Sequence, residues 1–219
     1  MGTNQPNNIT IYGRLSWPVF GYTEAVSRNA RSTYPVPEEQ VTPTFNLLLE
    51  DAQLNKFRTH VADVYLPWVA SGESKVQLDA RQIDMLLKQL DSDFEMQPPY
   101  IPLKPVPEKS RDLAPEAVAM LKVNGRRGID IEQRAVVNDE VELIVPPSEI
   151  LSFPVVKPIR QTVHNLYGGC YAAATLNLYA YISGKMPGFS ASAGVVVFKA
   201  DGERFGGGVD VDEDEIFLD

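Results

Sequence analysis

The chain has 219 residues, 44% of them apolar, which suits one domain with a sizeable core. Its longest apolar stretch, Cys170 to Ile182, is too short to cross a membrane and holds Thr175 and Asn177. A single cysteine, Cys170, excludes an internal disulfide, and two histidines, His60 and His164, leave no Cys/His metal cage.

The net charge of −9 disfavours a polyanion ligand as a sum but not as a distribution. Six carboxylates lie between Asp210 and Asp219, so the body of the chain carries only −3. The body's acids crowd between Glu38 and Glu149. From Ile150 to Ala200 there is no Asp or Glu, while Lys157, Arg160, Lys185 and Lys199 are present. The first 37 residues hold Arg14, Arg28 and Arg31 against Glu24 alone. Two acid-poor segments that met in the fold would form a positive surface fit for a polyanion.

In chain order, Ile9 to Trp17 alternates as a half-buried strand does, with Ile9, Ile11, Leu15 and Trp17 on one face and Thr10, Tyr12, Arg14 and Ser16 on the other. Residues 21 to 43 read as a long loop broken by Pro35, Pro37 and Pro43, and its Arg28 and Arg31 are candidate phosphate contacts. Thr44 to Leu49 reads as a buried strand. From Glu50 to Trp68 the apolar residues recur at helical spacing, and a second helix is expected from Asp79, a candidate N-cap, to Leu90. Both helices are rich in acids and are expected on the back of the domain. The proline run from Gln97 to Pro107 reads as a stiff connector, unfit for a central strand or helix.

Met120 to Val123, Ile129 to Val137 and Val141 to Val145 are expected as a meander, with Arg126 and Arg127 side by side at a turn, placed to hold a phosphate. Leu151 to Val156 reads as a further short strand. The strongest strand is Cys170 to Ile182. One parity is a core face of Cys170, Ala172, Ala174, Leu176, Leu178, Ala180 and Ile182. The other displays Tyr171, Ala173, Thr175, Asn177, Tyr179 and Tyr181, an acid-free aromatic face of the kind on which bases stack. Ala191 to Lys199 gives the last strand. Phe205-Gly206-Gly207-Gly208 then releases an acidic tail expected to be disordered, in which Ile216, Phe217 and Leu218 form an apolar knot suited to a basic-rimmed hydrophobic pocket on a partner.

No catalytic constellation emerges. Ser183-Gly184-Lys185 lacks the rest of a phosphate-binding loop, and Cys170 lies on the core face, better placed for packing than for nucleophilic pairing with His164. Asp212 to Glu215 offers divalent cations no fixed geometry. No cofactor is expected, and the chain reads as a binding protein rather than an enzyme.

Gly188-Phe189-Ser190-Ala191-Ser192 leading into Val195 to Lys199, then Phe205-Gly206-Gly207-Gly208 and an acidic tail with a near-terminal Phe, resembles the carboxyl half of tailed-phage single-stranded-DNA-binding proteins; Gly13-Arg14-Leu15-Ser16-Trp17-Pro18 resembles their first strand. The terminal residue here is Asp219 rather than Phe. The resemblance implies a mainly β fold, an oligonucleotide-binding (OB-fold) antiparallel barrel over residues 1–205. Two or three peripheral helices would lie in an insertion at about 50–92, with a hinge and tail over 206–219. It implies sequence-independent binding of single-stranded DNA in phage DNA replication or recombination, in the host cell cytoplasm, with duplex DNA as a further ligand. Phosphates would meet Arg14, Arg28, Arg31, Arg126, Arg127, Lys157, Arg160 and Lys185, and bases would stack on Tyr12, Tyr171, Tyr179 and Tyr181. The tail residues Asp210, Asp212, Glu213, Asp214, Glu215, Ile216, Phe217, Leu218 and Asp219 would compete with DNA and recruit a polymerase, helicase or primase. The alternative is a virion or assembly protein that binds no nucleic acid.

Overall fold

The computed structural model describes residues 5–19, 44–92, 94, 98–124, 130–132, 134–137, 140–143 and 166–205. Strand β1 (Asn8–Val19) is the pivot of the fold. Its first half, Asn8 to Arg14, pairs antiparallel with β8 (Tyr171–Ser183), and its second half, from Arg14 on, pairs antiparallel with β2 (Thr44–Leu49). A strand that changes partner midway must bend sharply, and Gly13 sits at the bend. A Cβ there would lie 2.6 Å from the Leu48 carbonyl oxygen, so only glycine lets the two backbones come this close.

From β2 the sheet continues to β4 (Ala119–Asn124), and β8 pairs with β9 (Met186–Ala200) through a long hairpin closed by Gly184 and Lys185. Gly184 takes the left-handed backbone conformation that a two-residue turn demands, with φ 63°. The ring closes where β4 runs parallel to β9, Val123 opposite Ala191 and Asn124 opposite Ser192. Counting the five ring strands in chain order, their order around the ring is 1-2-3-5-4-1, antiparallel except at the closure. This is the five-stranded, partly open Greek-key barrel of the OB type.

The parity read from the sequence holds along most of both strands; Ile182, assigned to the core, is exposed at the end of β8 beside the hairpin turn, and Ser16 and Ala173, assigned outward, are buried. Ile9, Ile11 and Leu15 from β1, Ala172, Ala174, Leu176 and Leu178 from β8, and Ala191, Ala193 and Val196 from β9 fill one core. The alanines let a tightly curved sheet close on itself without voids.

Between β2 and β4 lies a helical layer: α1 (Asp51–His60), a π-helical turn (Val61–Tyr65), α2 (Leu66–Ala70) and α3 (Ala80–Asp91). The first three run on as one helix. Pro67 has no N–H, and its ring would meet the carbonyl four residues back. The wider turn just ahead, where the Leu66 N–H reaches the Val61 carbonyl, accommodates it. Sequence periodicity places these helices outside the barrel, yet they share its core. Phe57 and Tyr65 pack on Phe189 of β9, with ring centroids 6.5 and 5.8 Å apart.

The N-cap expectation for α3 is met in full. Asp79 Oδ1 accepts from the Gln82 N–H at 2.8 Å, and Gln82 Oε1 accepts from the Asp79 N–H at 3.0 Å. Asp79→Ala is expected to cost about 1 kcal/mol, a fall in Tm of roughly 2–4 °C for a chain of this size, read by thermal denaturation.

Three expectations are corrected. The proline run contributes a two-residue strand, β3 (Leu103–Lys104), on the side of β4 that further along meets β9; it is followed by one turn of helix, α4 (Glu108–Arg111). The expected meander forms only in its second half, the antiparallel pairing of residues 134–137 with 140–143, and its middle strand does not turn back on β4. β5 (Asp130–Glu132) runs parallel beside β9, while β6 (Arg134–Val137) and β7 (Glu140–Leu143) form a separate hairpin. The last strand begins at Met186 rather than Ala191, because Pro187 and Gly188 join the hairpin ladder. The strand expected over Leu151 to Val156 and the acidic tail lie outside the described residues.

Candidate nucleic-acid interface

The outward parity of β8 forms the middle of a face shared with β1, β9 and β4. No Asp or Glu occurs anywhere on β8 or β9. Near the hairpin, Tyr179 is 42% exposed and its ring lies 6.5 Å from that of Tyr181 at an interplanar angle of 41°. The Tyr179 hydroxyl accepts from Asn124 Nδ2 at 3.1 Å, and the same nitrogen donates to Ser190 Oγ at 2.8 Å, tying the ring to β4 and β9. Tyr181 lies flat over Gly188, where a Cβ would stand 2.7 Å from Tyr181 Cζ. Burial raises the pKa of the Tyr181 hydroxyl, reinforced by the neighbouring Tyr179 and Tyr100.

Tyr100, from the proline run, was not expected here. Its backbone bridges to β9 through Pro187 and Phe189, and its side chain is exposed. A proline-rich connector gives no periodicity by which to place an aromatic on a sheet. Cations also flank this end. Lys185 is exposed at the hairpin tip, and Lys122 is exposed on β4 two residues from Asn124 on the same parity. Across the ladder, Lys104 pairs opposite Met120; burial and the charge of Lys122 lower the pKa of its ammonium.

At the other end of the face Tyr12 is 43% exposed. Lys56 Nζ, from α1, and Lys199 Nζ, from β9, stand 5.7 and 5.9 Å from its ring centroid. The acidic helices therefore do not lie wholly away from this face, since α1 delivers a lysine to it. Between the two ends the described side chains of β1 and β8 are small, polar and uncharged. The Thr10 and Thr175 hydroxyls bond at 3.0 Å, and Asn7 Nδ2 donates to Asn177 Oδ1 at 2.7 Å.

Arg14 differs from the expectation of a phosphate contact. It is 6% exposed, and its fork is occupied. Nε donates to the Gly169 carbonyl at 3.1 Å, Nη1 to the Leu113 carbonyl at 2.6 Å and to Glu116 Oε1 at 3.2 Å, and Nη2 to the Glu203 carbonyl at 2.9 Å. Its guanidinium carbon stands 4.6 Å from the Phe205 ring centroid and 5.4 Å from that of Tyr171. Strand parity correctly turned Arg14 outward, but chain from residues 113–116 and 203–205 covers it there. Tyr171 is half-buried in the same cluster, with one ring face given to Arg14.

Arg28, Arg31, Arg126, Arg127, Lys157, Arg160 and the tail residues lie outside the described residues. Cys170 is fully buried, and burial pushes its thiol up to about 11, which makes it inert as a nucleophile. Among the described residues no group of three or more His, Cys, Asp or Glu is placed to hold a metal, and no helix is long and apolar enough to cross a membrane.

Solved structures similar to this chain include three of the single-stranded-DNA-binding protein from bacteriophage Enc34. The protein itself is 14% identical with a TM-score of 0.45, covering 95% of this chain and 90% of that one. Its complex with single-stranded DNA is 12% identical with a TM-score of 0.48, covering 91% and 90%. A C-terminal truncation is 14% identical with a TM-score of 0.48, covering 91% and 88%. The barrel assignment rests on the strand pairing given above and not on these likenesses. No curated protein matches the sequence. A family model does match, that of the single-stranded-DNA-binding protein of Enterobacter phage Enc34, over residues 128–217, and it is this phage single-stranded-DNA-binding family that the chain resembles.

Proposed function

We propose that this chain binds single-stranded DNA without sequence preference and acts in phage DNA replication or recombination. The observation that carries the reading is the pair of exposed Tyr179 and half-buried Tyr181, side by side on a face whose strands β1, β4, β8 and β9 hold no carboxylate. Every base has a π-face, so stacking on tyrosine is indifferent to sequence, and lysines beside the rings neutralise phosphates. In this reading bases stack on Tyr179 and Tyr181, with Tyr100 beside them, while Lys185, Lys122 and Lys104 meet the backbone. Arg28, Arg31, Arg126, Arg127, Lys157 and Arg160 add cations from elsewhere in the chain. The family match over residues 128–217 supports the same ligand. The tail from Asp210 to Asp219 competes with DNA for the cationic face and, once displaced, recruits replication proteins through Ile216, Phe217 and Leu218.

A fluorescence titration of labelled oligo-dT and its duplex equivalent at several salt concentrations tests this, with the full chain and with residues 1–208. The logarithm of the single-strand affinity should fall linearly with log salt, at roughly −0.7 per phosphate contacted. Binding should tighten on removal of the tail. Unchanged or weaker binding by residues 1–208 would retire the competition, and no binding by either form at low salt would retire the DNA reading itself.

A further inference from the structure

Tyr12 and Lys199 lie in the two acid-poor segments, but nothing in the sequence pointed to their forming one group with Lys56 of α1. Tyr12 comes from β1, Lys56 from α1 and Lys199 from the end of β9, and only the closed barrel brings them together. Lys56 is held in place, its Nζ donating to the Thr10 carbonyl at 2.8 Å, which leaves two N–H donors directed elsewhere. An exposed ring with two ammoniums 5.7 and 5.9 Å from its centroid has the chemistry of a nucleotide site, a π-face for a base and two charges for the flanking phosphates.

Its position relative to the hairpin tyrosines decides what it can do. Tyr12 pairs opposite Ala173, and Tyr179 lies six residues further along the same strand on the same parity. At about 3.3 Å per residue the two aromatic groups are roughly 20 Å apart. That span takes about six nucleotides at the 3.4 Å spacing of a stacked strand, and fewer if the strand is stretched. Among the described side chains of β1, β8 and β9, the surface between them carries threonine, asparagine and serine and no charge, so a strand can cross it there without repulsion and without being held.

Resting on the DNA reading above, we infer that Tyr12, Lys56 and Lys199 form a second anchoring station, so that binding has a length threshold set by the distance between Tyr12 and the Tyr179–Tyr181 pair. An oligonucleotide too short to reach both stations is held by one. A longer one meets the second at high effective concentration, because the first already tethers it.

The experiment is a length series of oligo-dT, from four to twelve nucleotides, titrated into the full chain and into Tyr12→Ala, Tyr12→Phe and the pair Lys56→Ala with Lys199→Ala. Extra binding registers on longer strands benefit all proteins alike, so the comparison between proteins isolates the second station. The expected result is that Tyr12→Ala and the double lysine variant bind the twelve-nucleotide strand at least fivefold more weakly than the unaltered chain. Tyr12→Phe should bind it normally, and all should bind four nucleotides equally. Equal affinity of all variants for twelve nucleotides would overturn the second station. So would an equal loss at four and twelve, which would make Tyr12 part of a single site. If the unaltered chain binds no length, the DNA reading fails, and the inference fails with it.

Discussion

Arg14→Leu is expected to destabilise the protein by about 3–5 kcal/mol, since a buried, fully engaged cation is removed and its partners are left behind. The carbonyls of Gly169, Leu113 and Glu203 each lose their side-chain donor, and Phe205 and Tyr171 lose the cation between them. For a domain of this size the loss corresponds to a fall in Tm of roughly 6–20 °C. Arg14→Lys should rescue little of it, because one ammonium cannot serve three carbonyls and a carboxylate from the positions of a planar fork. Gly169 reinforces the site. It has φ 109°, and a Cβ there would collide with the Glu203 carbonyl that Arg14 holds, so Gly169→Ala should fail in the same way. Thermal melts with DNA binding measured well below the melting temperature separate the two roles. An Arg14→Lys protein that melts normally yet binds DNA poorly would return Arg14 to the phosphate contacts.

The second large effect concerns DNA. Tyr179→Ala and Tyr181→Ala should each weaken oligo-dT binding by about 1–3 kcal/mol, between fivefold and 150-fold, as removal of a stacking ring does elsewhere. Neither change touches a phosphate contact, so the slope of affinity against salt should hardly move, whereas Lys122→Ala should reduce it. Tyr179→Phe isolates stacking from hydrogen bonding. It surrenders the bond from Asn124 but keeps the ring, and it should bind within a fewfold of the unaltered chain. A Tyr179→Ala, Tyr181→Ala double variant that is folded and binds at full strength would place the ligand on another face.

Much of the barrel and part of its outer face were legible in the chain because they depend on local periodicity. The period-two alternation of β1 and β8 assigned Ile11 and Leu176 to the core and Tyr12, Tyr179 and Tyr181 to the outside. The 3.6-residue recurrence from Glu50 to Trp68, and Asp79 three residues ahead of Gln82, located the helices and one cap. These signals require only near neighbours, and each residue's side of its own element follows from them.

The rest depends on which elements meet. Nothing in residues 130–132 shows that they run parallel beside β9 instead of turning back on β4, because alternation does not name a partner strand. Parity sent Arg14 outward correctly, but outward became buried when residues 113–116 and 203–205 closed over it from far along the chain. Tyr100 joined the hairpin tyrosines from a segment without periodicity, and Lys56 and Lys199 reached Tyr12 from a helix and a strand distant in sequence. The sequence by itself therefore determined the elements, their inner and outer faces and the acid-free aromatic strand. Only the tertiary structure decided which outward residues remain exposed and which cations stand beside which rings, since both depend on contacts across the closed ring and no local pattern encodes them.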